Sequence, residues 1–275
     1  MRILVCEYVT GGGFAGRALP EGLQHEGELM LRSLVRDLAD AGGVDLLVSR
    51  DARLPSPDLP GELVPVAAGE DCWRVWAEAI ARVDAVWPIA PETGGALLRL
   101  SKLAVASGKV LLGSRPDAVR LCGGKLGTAA RLAEYGIPAV PTRRLASVDM
   151  PSPGAGWVVK PDDGAGAEDT YLVSSREALA AFGPPRGDWV VQPYLSGEAA
   201  SLSLLCRNGE AVLLACNSQH VVLVRVPPHP SCPDLIRAST SCSYLRKSWM
   251  AGSSPAMTMG GVKCFQYEGW TVGGM

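Results

Sequence analysis

The first 113 residues alternate between short apolar runs and longer segments whose apolar residues recur at helical spacing. Residues 3–9 read as a buried strand. Residues 26–41 place Leu31, Leu34, Val35 and Leu38 on one helical face and stop before Gly42-Gly43. A strand at 44–48, a proline-rich loop at 54–60 and a strand at 63–66 follow. A helix with Trp73, Trp76, Ile80 and Val83 on one face then leads to a strand at 85–89, and a helix around 95–106 leads to a short strand at 110–113. Fully apolar strands separated by amphipathic helices predict a parallel sheet covered on both faces, so 1–113 is expected to be a small Rossmann-like α/β domain.

After Pro116 the rhythm changes. Short helices at 117–121 and 125–135, the second stopped by Gly136 and Pro138, precede strands at 157–160, 170–173, 189–194, 201–207 and 211–217, with a helix at 176–182 among them. Asn208-Gly209 between the last two strands favours a tight hairpin turn. Residues 114–225 are therefore expected to be α+β with antiparallel pairing.

Residues 226–275 carry no helical or strand period. They hold two acids, Asp234 and Glu268, against four bases, with seven serines, five prolines, four methionines and three cysteines. The first 225 residues hold 22 bases and 26 acids, so the net charge of −2 is the sum of an acidic body and a basic, irregular tail.

A near-neutral chain exerts no broad attraction on nucleic acid or anionic membranes. No apolar run approaches the roughly 20 residues a bilayer requires, and residues 2–6 form a strand without signal-peptide design. A cytoplasmic protein acting on small molecules is expected, in an oligomeric state the sequence does not fix. The 8 cysteines include no CxxC pair, which predicts buried free thiols in place of a zinc site or disulfide framework.

Three segments carry candidate chemistry. Gly11-Gly12-Gly13-Phe14-Ala15-Gly16 satisfies GxGxxG, but Pro20 and Gly22 delay the helix that a pyrophosphate would need directly behind the glycines. Two readings stand: a flexible loop that meets a small substrate at the carboxyl end of the sheet, through Gly11, Gly12 and Gly13, or a loop that lets backbones approach closely. Glu92, in the loop Pro88-Ile89-Ala90-Pro91-Glu92 at the same edge, is either a ligand for a cationic substrate group or an exposed loop carboxylate.

The third segment is the richest. Lys125 opens a helix, and Lys160 ends a buried strand with Asp163, Gly164, Ala165 and Gly166 just behind it. An ammonium at the inner end of a strand is costly to desolvate unless an anion meets it, so this pattern suits the phosphates of a nucleoside triphosphate. Lys125 adds a second positive charge beside a helix start. Residues 192–195, with Gln192, Tyr194 and Leu195, can offer backbone groups to an adenine edge, and Glu198 can take ribose hydroxyls.

With the lysine-led helix ending in Gly136-Ile137-Pro138, the strand Val158-Val159-Lys160-Pro161 and the segment Gln192-Pro193-Tyr194-Leu195-Ser196-Gly197-Glu198, the chain resembles the ATP-grasp family of carboxylate-amine ligases over 1–225. Glu7 to Gly13, Pro88 to Glu92 and Cys216 to His220 resemble the branch that contains tyramine-glutamate ligase of methanofuran biosynthesis. The resemblance implies a Rossmann-like pre-ATP-grasp domain over 1–113, an incomplete, truncated ATP-grasp nucleotide-binding domain over 114–225, and a non-family tail over 226–275. It implies ATP and Mg2+ as cofactors, small-molecule acid and amine substrates, and amide formation through an acyl phosphate. It places Lys125 and Lys160 on phosphates, Gly164 to Gly166 over them, Gln192 and Leu195 on adenine and Glu198 on ribose, with Asn217 and Gln219 as catalytic candidates; Ala199 stands where the family often has the ribose-binding acid.

The family's late Glu-x-Asn metal segment has no counterpart after His220, so no metal ligands are assigned. From about Val224 the sequence looks like translated non-coding DNA, which predicts a frameshift or an inserted repeat near that codon. Two alternatives to a ligase follow: an ATP-binding remnant without turnover, and an NAD(P)-dependent oxidoreductase resting on Gly11 to Gly16.

Overall fold

The computed structural model describes residues 1–146, 156–164, 169–183, 187–207, 209–218, 221–225, 236–240 and 263–269. The chain divides into two units, the first running from Met1 to Val119 and the second beginning at Arg120.

In the first unit, β1 (Arg2–Glu7), α1 (Glu21–Ala41), β2 (Asp45–Asp51), β3 (Glu62–Val66), α2 (Cys72–Ala81), β4 (Ala85–Ile89), α3 (Ala96–Ala106) and β5 (Val110–Leu111) alternate. The sheet is wholly parallel, in the order β3-β2-β1-β4-β5. Its two faces bury separate clusters. One packs Leu4, Leu47 and Val86 under Trp76 and Ile80 of α2 and Leu100 of α3. The other packs Ile3, Val5 and Val48 under Leu31, Val35 and Leu38 of α1. Asp71 caps α2, its side chain accepting from the Trp73 amide at 3.0 Å. The expected Rossmann-like sheet is therefore present, with one correction. Helix α1 begins at Glu21 and takes in Gly22, because Pro20 fits the boundary before a first helical turn and Gly22 packs against nothing.

The second unit holds α4 (Pro116–Cys122, which straddles the boundary), α5 (Lys125–Glu134), β6 (Arg143–Arg144), β7 (Trp157–Pro161), β8 (Tyr171–Val173), α6 (Arg176–Ala181), β9 (Trp189–Pro193), β10 (Ala200–Arg207), β11 (Glu210–Ser218), β12 (Val221–Arg225), β13 (Ile236–Thr240) and β14 (Lys263–Gly269). Six strands form a sheet in the order β12-β13-β8-β7-β9-β6, and three form another in the order β11-β10-β14. Strand β7 is antiparallel to both β8 and β9. Strands β10 and β11 form the expected hairpin, with Gly209 at a φ of 84° where the left-handed turn requires it. Strands β13 and β14 lie within the stretch that showed no strand period. Pairing supplies what the local pattern lacks: β13 is antiparallel to β12 and β8, and β14 neighbours β10.

Of the described cysteines, Cys6 and Cys72 are buried, whereas Cys122 and Cys216 are exposed and Cys206 is partly so. The expectation of uniformly buried thiols holds only for the first unit. Burial pushes the Cys72 thiol up to about 11 and Cys6 higher still.

Candidate functional site

The strand register of the second unit sorts its side chains onto two faces. Directly opposed residues of an antiparallel pair point the same way, and so do residues two apart on one strand. Lys160 opposes Val190 and Val158 opposes Gln192, so Lys160 and Gln192 share one face of the β7-β9 pair. The other face carries Trp157, Val159, Trp189 and Val191, which form a core with Ala178 and Leu179 of α6. The lysine thus stands on the face away from this helix-covered core, yet it is only 4% exposed.

Lys125 begins α5 and reaches the turn directly behind Lys160. Its ammonium donates to the carbonyls of Pro161 at 2.9 Å, Asp162 at 3.1 Å and Gly164 at 2.6 Å. Two lysines 35 positions apart in sequence are therefore brought to one strand end, each at the edge of the glycine-rich turn. Asp163 is exposed in that turn; Ala165 and Gly166 lie outside the described residues. Gln192 donates from Nε2 to Thr142 Oγ1 at 2.7 Å, and the Tyr194 amide donates to the Gly156 carbonyl at 2.9 Å. Leu195 is exposed, as is Glu198. Asn217 is on β11, directly opposite Ser201 of β10, and its Nδ2 donates to Ser203 Oγ at 3.3 Å; Gln219 lies outside the described residues.

In the first unit, β1 and β4 are the neighbours at which the strand order reverses, the place where open parallel sheets hold ligands at their carboxyl ends. Both glycine-bearing loops leave from there. Residues Val9–Gly13 form a π-helical turn, and Thr93–Gly95 form a 3-10 turn that follows exposed Glu92. Gly11 and Gly12 are buried. A Cβ on Gly11 would strike Ser49 Oγ, one on Gly12 would lie 2.5 Å from Val66 Cβ, and one on Gly13 would lie 2.5 Å from the Tyr8 carbonyl oxygen. The Trp76 indole N–H donates to the Gly11 carbonyl at 3.1 Å. The loop is closely packed at all three glycines, against side chains at Gly11 and Gly12 and against backbone at Gly13.

The sequence reading assigned no individual role to Glu7. This residue ends β1 and is 1% exposed. Its carboxylate accepts from the Val9 amide at 3.0 Å, the Thr10 amide at 2.5 Å and the Thr10 hydroxyl at 2.7 Å. Burial raises its pKa above the ordinary 4.5, and the Thr10 and Val9 hydrogen bonds oppose the rise. The available signal was a carboxylate at the end of an otherwise apolar strand. Thr142, in the Pro-Thr pair beyond the lysine-led helix, and Asp162 gain their roles only through the contacts with Gln192 and Leu126.

Residues 44–119 match the pre ATP-grasp 3 domain, and residues 122–226 match the ATP-grasp domain. The chain belongs to the ATP-grasp superfamily. The two matches together take in well over half of the sequence and meet where the two structural units divide. No curated protein matches the chain. Among solved structures, an ATP-grasp superfamily protein from Archaeoglobus fulgidus is similar at TM-score 0.57 and 18% identity, over 80% of this chain and 61% of its own. L-amino acid ligase from Bacillus licheniformis is similar at TM-score 0.52 and 17% identity, over 79% of this chain and 50% of its own. N5-carboxyaminoimidazole ribonucleotide synthetase from Thermotoga maritima is similar at TM-score 0.52 and 16% identity, over 81% of this chain and 54% of its own. At these identities the likeness is one of fold, and the ATP-grasp chain here spans between 50% and 61% of the length of these three structures.

Among the described residues no helix is long and apolar enough to cross a membrane, and no three His, Cys, Asp or Glu side chains form a cluster able to hold a metal ion. The described residues thus offer no preformed all-protein cage for a cation, whereas Mg2+ is usually held by one or two carboxylates together with substrate phosphates.

Proposed function

We propose that the second unit binds ATP on the face of β7 and β9 that carries Lys160 and Gln192. The observation that carries this reading is the buried ammonium of Lys160 at the end of β7, beside a turn that Lys125 holds from the start of α5. Charge buried at a strand end fits a polyanion that enters the same desolvated place. Lys160 and Lys125 would meet phosphate oxygens, residues 163–166 would cover them, and 192–195 with Glu198 would hold the nucleoside. ATP supplies the activated phosphoryl group by which a carboxylate becomes an acyl phosphate open to attack by an amine. Such ligation, with Asn217 and Gln219 at the reacting end, is the activity we assign to the ATP-grasp ancestor of this chain. Glutamate as the acid, an amine bound near Glu92 and Gly11 to Gly13, and a place in cofactor biosynthesis rest on the resemblance of 7–13, 88–92 and 216–220 to the tyramine-glutamate ligase branch.

A second reading, an ATP-binding remnant without turnover, is favoured by one specific observation: the ATP-grasp match stops at residue 226, where the composition shifts. Thermal unfolding with and without ATP and Mg2+ tests binding, and ADP release with acid-amine pairs tests turnover. A nucleotide at about 100 times its Kd stabilises a folded protein by roughly 2.7 kcal/mol. Stabilisation of the natural chain that disappears in Lys160→Met is the expected result, and no shift in the natural chain overturns the reading. ADP formed only at background rates selects the remnant.

A further inference from the structure

Asp162 lies immediately before the glycine-rich turn, and three of its atoms make four hydrogen bonds. Its amide donates to the Asp188 carbonyl at 2.9 Å. Its carbonyl accepts from the Lys125 amide at 3.1 Å and from the Lys125 ammonium at 3.1 Å. Its side-chain Oδ1 accepts from the Leu126 amide at 2.8 Å. Gly124 permits this approach, since a Cβ there would lie 3.0 Å from Asp162 Oδ2.

The first amides of a helix have no partner within the helix, and a side-chain oxygen that receives them fixes where the helix starts. Here the oxygen comes from a residue 36 positions away instead of from the preceding residue, because Gly124 at the boundary has no side chain to offer. A negative charge beside the positive end of the helix dipole strengthens the contact. The bond therefore ties the start of α5 to the end of β7. We propose that Asp162 is a positioning residue, which sets the Lys125 ammonium in register with the strand that carries Lys160. Its consequence for nucleotide affinity rests on the ATP-binding reading above; its consequence for the geometry does not.

Two measurements on the full chain separate these. The first is hydrogen exchange at the Leu126 amide without nucleotide. Loss of a cap of about 1 kcal/mol predicts roughly fivefold faster exchange in Asp162→Ala, and protection close to the natural chain in Asp162→Asn, which keeps an acceptor at the same place. The second is ATP affinity by calorimetry. Asp162→Ala weakens it about tenfold, Asp162→Asn restores it, and in a Lys125→Met background Asp162→Ala changes it less than about twofold, since the two substitutions remove the same contact. Asp162→Glu keeps the charge but moves the acceptor by a methylene, so it behaves as Asp162→Ala does and serves should the alanine variant fail to fold. Unchanged Leu126 exchange in Asp162→Ala, natural affinity in Asp162→Glu, or independent effects of the Asp162 and Lys125 substitutions overturns the proposal. Absence of ATP binding by the natural chain, with the exchange pattern as stated, overturns the nucleotide reading and leaves the positioning contact in place.

Discussion

The carboxylate of Glu7, at the end of β1, occupies the space that a side chain on Gly27 of α1 would need: a Cβ there would lie 2.7 Å from Oε2. The carboxylate cannot swing away cheaply, because it is buried and holds three hydrogen bonds from Val9 and Thr10. Alanine normally favours a helix over glycine by about 1 kcal/mol, yet displacing a bound, buried carboxylate costs about 1–3 kcal/mol. Gly27→Ala is expected to destabilise the first unit by about 1 kcal/mol net. Gly22→Ala in the same helix, where nothing lies within 4 Å, is expected to be stabilising by roughly 0.5 kcal/mol. Urea unfolding of the two variants checks the contrast in sign.

The pH dependence of Glu7 follows from the direction of its shift. Its folded pKa lies above the ordinary 4.5, so between those values the folded state binds more protons than the unfolded one and stability falls as pH rises. Glu7→Gln cannot titrate. The stability of the natural chain minus that of Glu7→Gln is expected to decline from pH 4.5 upward and to level off above the folded pKa of Glu7. Denaturant midpoints across that range provide the measurement, and a difference that grows with pH contradicts it.

Arg53 fastens the loop after the glycine turn. Its guanidinium donates to both carboxylate oxygens of Asp51, at 2.9 and 2.7 Å, and to the carbonyls of Arg17 at 2.8 Å and Phe14 at 2.7 Å. Asp51 is fully buried, and the hydrogen bond from Arg53 leads the causes that lower its pKa. Its contribution to stability is therefore present above the ordinary 3.8 and lost as pH falls through the lowered value. Arg53→Ala is expected to destabilise the chain at neutral pH and to do so less in acid, because protonation of Asp51 weakens the pair that the substitution removes. Unfolding at pH 7 and at successively lower pH below 3.8 distinguishes this from a purely packing loss.

Gly12 combines a φ of 108° with contact against Val66, so an alanine there meets both backbone strain and a side-chain clash. Gly12→Ala is expected to destabilise by about 3 kcal/mol, whatever ligand is present. A loop that served mainly as a flexible ligand cover would instead lose affinity with little change in unfolding. Thermal unfolding of the ligand-free variant decides between them.

The local pattern of the chain was enough for most of its elements. Apolar runs and 3.6-residue spacing foretold every strand and helix of the parallel first unit, and Asn208-Gly209 foretold the β10-β11 hairpin. Others escaped: β6 is only Arg143–Arg144, and β12, β13 and β14 are placed by pairing with other strands. The residues also singled out Lys125, Lys160 and the turn behind them, since a cation at a strand end stands out against apolar neighbours. What tertiary structure alone decided is which groups meet. Strand register put Gln192 on the face of Lys160, chain return put Asp162 on the start of α5, and close packing of α1 on β1 turned Glu7 and Gly27 into one contact. Propensity and periodicity act over a few residues, whereas these contacts join positions 20 to 36 apart, and only the folded backbone sets those distances.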